Sequence, residues 1–190
     1  NDDINIGIID PLIINYHTKL PQNGKGNKWP LDGTMFTGCA VAFKKEVIER
    51  TGLRPGNFYI YASEADVCIR ALDAGFKIKH TENIIAFHKE SPVKRISSAF
   101  FYYSTRNIIW LIFKYYPIIP AFGETFKHLI WYFILAFKSR NTYQYLKGVV
   151  SGFLGLPQIF QKERIVLKNW KRGRVYPSID LIMKFLNIKK

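Results

Sequence analysis

Phe58-Tyr59-Ile60-Tyr61-Ala62-Ser63-Glu64-Ala65-Asp66-Val67-Cys68-Ile69-Arg70, continued by Ala74-Gly75-Phe76-Lys77-Ile78-Lys79-His80 and closed by His88, is the stretch on which the fold turns. Ser63 ahead of Glu64 and Asp66 reads as an N-cap with acids in the first helical turn, where the helix dipole favours negative charge. Ala65, Cys68, Ile69 and Leu72 recur at i, i+3, i+4 and i+7, so one stripe is buried. Glu64 and Asp66 lie off that stripe, and Asp66 stands one turn ahead of Arg70, at ion-pair spacing. Gly75 ends the helix as a left-handed residue would, and Phe76 to His80 alternates like a strand. Read alone, these features describe a well-capped surface helix. They also gather two carboxylates and an arginine at one helix start, with a histidine at the end of the next strand-like run.

The same residues resemble the second half of the catalytic domain of family 2 glycosyltransferases, especially rhamnosyltransferase-like members that build bacterial surface polysaccharides. The family pattern is an aromatic-rich strand, an acidic pair, x-Asp-Leu-Cys-x-Arg, a helix, Ala-Gly-Tyr, a strand, and a His after a second strand. Here Glu64 matches the second acid, Asp66 the following Asp, and Cys68 and Arg70 their counterparts; Ala74-Gly75-Phe76 matches the turn and His88 the histidine. Gly38-Cys39-Ala40-Val41-Ala42-Phe43 resembles the family's small-residue acceptor-site strand, which leads into a short helix. Tyr102-Tyr103-Ser104-Thr105-Arg106-Asn107 resembles the motif that opens its C-terminal helical region. Two departures stand out: Ser63 replaces the usual first Glu, and the base position is Glu64 where Asp is commoner.

The resemblance implies an α/β fold, the C-terminal half of a GT-A (Rossmann-like) domain followed by amphipathic helices. It implies inverting transfer of a hexosyl or rhamnosyl group, which needs a base for the acceptor hydroxyl and cationic help for the departing nucleotide diphosphate. Glu64 is implied as that base, with Asp66 and Arg70 shaping the helix start. Gly38, Cys39 and Arg106 are implied on the substrate side, the small residues letting an acceptor sugar approach the backbone closely. Mg²⁺ or Mn²⁺ would bridge the diphosphate, with His88 as its ligand. Plainer readings stand beside these: a strand-end His88 that hydrogen-bonds a loop, and a Cys39 that closely packs a central strand.

The family's nucleotide-binding strands and Asp-x-Asp metal motif precede a segment like Ile4 to Pro11, and Asp2-Asp3 read as a turn. The resemblance therefore implies the acceptor-side half of a longer enzyme. Its partners would be a nucleotide-sugar donor and a saccharide or lipid-linked acceptor, and this half alone is expected to be inactive.

Charge divides the chain. Residues 1–88 carry ten basic and ten acidic side chains, whereas residues 89–190 carry 18 basic and 4 acidic ones, the whole +14 net charge. Two regions are expected, a catalytic half over 1–92 and a basic, aromatic-rich helical region over 93–190. An acidic partner for the second region follows: anionic lipid, a phosphate-linked substrate or nucleic acid. Helices are expected from about Ile96 to Tyr116, stopped by Pro117 and Pro120, from about Phe122 to Lys138, and from Asn141-Thr142 to about Phe153. The longest charge-free run there, Gly148 to Gln161, is fourteen residues, against the roughly 20 a bilayer span needs.

Apolar faces with Trp, Tyr and flanking Lys/Arg fit helices lying in the headgroup layer, hence a cytoplasmic protein peripheral to the inner face of the plasma membrane. Ordinary packing against a core is the alternative. Gly148 and Gly152, at i and i+4, would let another helix approach closely, in a membrane or in a soluble helix pair. Lys162 to Arg174 reads as a basic helix or a solvated tail, and Asp180 to Lys190 as a short amphipathic helix. A non-catalytic basic module binding anionic membrane or nucleic acid is the rival function. No nucleic acid is expected, because the aromatics lie in continuous apolar helices rather than on a basic strand platform. Cys39 and Cys68 are expected to be buried, reduced thiols.

Overall fold

The computed structural model describes residues 5–23, 33, 35–52, 54–89 and 98–167. The chain is mixed α/β, and its contacts divide it into two compact units. Among the described residues, one unit comprises 5–55 and 64–89, the other 56–63 and 98–167. The aromatic segment just before Glu64 therefore belongs with the helices.

In the first unit β1 (Ile6–Asn15) is the middle strand, with β2 (Ala42–Phe43) antiparallel on one side and β3 (Lys77–His88) parallel on the other. A parallel pair needs a crossover between its strands, and α1 (Lys45–Thr51) and α2 (Ser63–Asp73) lie in that connection. The two strand-like runs of the sequence are one strand, β3. Its pairing passes from Pro11–Thr81 to Leu12–Ile85, a register shift at the residue of β1 that has no N–H for the ladder.

The core of this unit joins Ile8 and Ile78 from the sheet, Phe36, Val47 and Phe76, and Val67, Cys68 and Ala71 of α2. Each large apolar side chain so buried contributes about 1.5–3 kcal/mol. α2 is not the surface helix its caps describe: every residue from Ala65 to Ile69 is buried. The predicted stripe is present, but Asp66 and Val67 beside it are covered as well.

The second unit is built on α3 (Ser98–Tyr115), an 18-residue run without Gly or Pro, buried at every position from Ser104 to Tyr115 except Arg106. Residue 96, where the sequence starts this helix, lies outside the described residues. α4 (Ile118–Lys138) begins four residues earlier than the sequence predicts. Pro117 caps it, and Pro120 sits in its first turn, where a missing N–H breaks no helical bond. α5 (Thr142–Leu154) packs its glycines on α3: a Cβ at Gly148 would come within 2.6 Å of the Tyr102 carbonyl oxygen, and one at Gly152 within 2.5 Å of Ile109. The glycine pair thus admits a helix of the same chain, and the Trp110 indole N–H donates to the Gly152 carbonyl at 2.9 Å.

A further helix, α6 (Leu156–Lys162), was not foreseen, and Glu163 to Leu167 after it is not helical. The Ile165 and Leu167 amides donate to the Lys114 and Tyr115 carbonyls, and the Arg164 guanidinium to those of Phe113 and Tyr116. These bonds satisfy the last carbonyls of α3, which a helix end otherwise leaves open. The remainder of the basic segment to Arg174, and Asp180 to Lys190, lie outside the described residues. Among the described residues no helix is long and apolar enough to cross a membrane.

Candidate functional site

The site is built from β1 outward. Asp10 is fully buried in β1. Its carboxylate accepts a 2.6 Å hydrogen bond from the Thr37 amide and a 3.0 Å one from the Asn23 side chain, and it lies 3.0 Å from His80 Nδ1. Asn23 in turn donates to the Pro11 carbonyl and accepts from the Ile13 amide. A buried carboxylate so satisfied fixes the loop that meets it. That loop carries Gly38 in its next position, in a turn closed by the Ala40 amide on the Thr37 carbonyl at 3.3 Å. The sequence places Gly38 and Cys39 on a strand; they lie instead in an exposed turn, and the strand is reduced to Ala42–Phe43. Cys39 is exposed, which corrects its expected burial.

Glu64, in the first turn of α2, reaches this turn. Its carboxylate occupies the volume that a Cβ on Gly38 would take, so the two residues touch only because position 38 has no side chain. Arg54 completes the group: its Nη1 lies 3.3 Å from Glu64 Oε1 and its Nη2 donates to the Gly38 carbonyl at 3.4 Å. The Arg54 and Glu64 side chains keep 43% and 26% of their exposure, so the pair is worth about 0–1 kcal/mol and serves orientation more than stability. Arg54 was missed in the sequence, where it sits in a Gly-x-x-Pro-Gly loop with nothing local to mark its partner.

Asp66 and Arg70 do other work. Asp66 is fully buried and pairs with Arg70 at 2.6 Å and 2.8 Å, and Arg70 also donates to the Thr51 carbonyl and, at 3.3 Å, to that of Gly52. The pair ties the end of α1 to the start of α2, a positioning role behind Glu64. Removing Arg70 would leave the fully buried Asp66 carboxylate without that opposing charge, at a cost of about 3–5 kcal/mol. Cys68 is buried in the core, where burial pushes its thiol up to about 12, partly opposed by a backbone hydrogen bond from Phe36.

His88, at the end of β3, is half-buried with Nδ1 2.9 Å from Gln22 Oε1. Among the described residues no three His, Cys, Asp or Glu side chains converge as a metal would need.

In the helical unit the motif Arg106-Asn107 grips the segment 56–63. The Asn107 amide donates to the carbonyls of Phe58, Ile60 and Tyr61 at 2.8–2.9 Å, and Arg106 Nη2 to those of Asn57 and Phe58 at 2.9 and 3.2 Å. The Arg106 guanidinium also lies 4.3 Å from the Trp110 ring centroid. Expected on the substrate side, Arg106 is engaged by backbone and aromatic faces. The grip has a reason: Tyr59, Tyr61 and Ala62 have φ of 59°, 64° and 60°, a left-handed conformation that costs a non-glycine residue about 1–3 kcal/mol. Asn107, fully buried in an apolar helix, is the signal that could have revealed this clamp.

The chain matches no model of a known protein family, no curated protein and no solved structure.

Proposed function

We propose that this chain is the acceptor-side half of an inverting glycosyltransferase of GT-A type, with Glu64 as the general base. The observation that carries the reading is the Glu64 carboxylate fixed against the side-chain-free backbone of Gly38, with Arg54 on its flank. On this reading an acceptor sugar lies over the exposed Gly38–Cys39 turn. Its hydroxyl O–H bond breaks as the proton passes to Glu64, and its oxygen bonds the anomeric carbon. The bond from that carbon to the nucleotide diphosphate breaks, and its electron pair leaves with the phosphate oxygen. Positioned proton transfer of this kind is worth about 10²–10⁴ in rate. Asp10 holds the turn and Asp66–Arg70 holds the helix start, so both sides of the base are anchored to buried carboxylates.

The test is transfer itself. A polypeptide carrying this chain together with a donor-binding half is incubated with nucleotide sugars and saccharide or lipid-linked acceptors, and the product anomer is read by NMR. A product of inverted configuration is expected. A retained configuration, or no transfer with any sugar nucleotide, would discard the reading.

A further inference from the structure

The helix α4 is amphipathic inside out. Its inward face is small or polar (Ala121, Thr125, His128, Tyr132 and Ala136, all buried), whereas its outward face is aromatic and aliphatic. Ile119 is 85% exposed, Phe126 66% and Phe137 68%, and Phe122, Ile130 and Phe133 between them are exposed too. These six fall within one stripe at helical spacing. From Ile119 to Phe137 the stripe runs about 27 Å along the axis at a helix's rise per residue. A contiguous apolar surface of that length is far from ordinary scatter and marks an interaction face.

Charge decides what covers it. Residues 98–167 carry eight Lys/Arg against two Asp/Glu. Lys127 and Lys138 follow Phe126 and Phe137 directly, at one border of the stripe, and both are exposed; Lys127 also pairs with Glu124 at 2.7 Å. A second copy would bring like charge against like charge, whereas an anionic lipid surface supplies the opposite sign. Lysines at the rim of an apolar stripe can hold their ammonium groups at the headgroups while their stems lie along the acyl boundary.

We infer that α4 lies in the plane of an anionic bilayer surface, with the Ile119–Phe137 face at the acyl boundary and Lys127 and Lys138 at the phosphates. The inference is independent of the chemistry assigned to Glu64.

Sedimentation of the full chain with vesicles tests it, using phosphatidylcholine alone and phosphatidylcholine mixed with phosphatidylglycerol. Binding to the anionic vesicles is expected, with weak binding to the neutral ones. Phe126→Ser together with Phe137→Ser should lower it roughly tenfold or more, and Lys127→Gln with Lys138→Gln several-fold. As a control on folding, an environment-sensitive dye on Phe126→Cys, in a Cys39→Ser background, should shift to the blue on anionic vesicles. Three results would each overturn the proposal: equal binding to neutral vesicles, serine variants that bind as the parent does, or a soluble dimer that the serine changes dissociate without any vesicle binding. A dye at position 126 unmoved by lipid would do the same.

Discussion

The carboxylate of Glu64 fills the space that a side chain at position 38 would need. Gly38→Ala therefore forces that carboxylate aside. The obstructing atoms are the end of a flexible side chain, so the fold should survive with a change of about 1 kcal/mol or less. If Glu64 is the base, as proposed, its displacement by about an ångström costs on the order of 10² in rate. A transfer assay beside a thermal melt checks this: activity should drop with little change in Tm, and a drop in both together would mean that position 38 is only structural.

Two ion pairs near this site should behave differently on truncation. Arg54→Gln removes a partly exposed pair and should cost about 0–1 kcal/mol. Arg70→Ala takes the opposing charge away from Asp66, whose side chain is fully buried, and should cost about 3–5 kcal/mol. Urea unfolding of the two variants measures the contrast, and equal losses would contradict the burial described for Asp66.

Acid sensitivity has an identifiable source in α4. Burial holds the His128 imidazole down to about 4 from an ordinary 6.5, with Glu124 opposing and Lys127 adding slightly. The unfolded chain thus takes up a proton below pH 6.5 that the folded chain refuses until about pH 4. Stability is fully present above that window and falls as pH drops through it, by about 3 kcal/mol at its lower end. His128→Leu should remove this component, so urea midpoints at neutral and acid pH should differ less in the variant than in the parent.

The two thiols should separate cleanly. Cys39 is exposed, whereas Cys68 is buried with its thiol pushed up to about 12. A disulfide reagent at neutral pH should label one equivalent promptly, and Cys39→Ser should abolish that phase. Cys68 should react only once the chain is unfolded.

What the sequence disclosed was local. The start of α2, its buried stripe and the Asp66–Arg70 pair are legible because helical period and i, i+4 spacing depend on near neighbours. The approach of Glu64 to Gly38 joins residues 26 positions apart, and nothing in either segment announces the other. Asp10 was passed over although a charged residue inside Ile8-Ile9-Asp10-Pro11-Leu12 demands a buried partner. Pro120 was read as a helix stop because its tolerance in a first turn depends on where the helix begins. In α4 the periodicity shows a stripe but not which side faces the protein, because Tyr132 and Phe133 are both good core residues. Only packing separates the buried tyrosine from the exposed phenylalanine.

The proposed role of Glu64 as proton acceptor is tested most directly by Glu64→Gln, which keeps the shape of the side chain and removes its basicity. In protein that carries the donor-binding half, sugar transfer should fall by about 10²–10⁴ while donor affinity and Tm stay near those of the parent. Transfer at the parent rate in that variant would remove Glu64 from the chemistry and the proposed function with it.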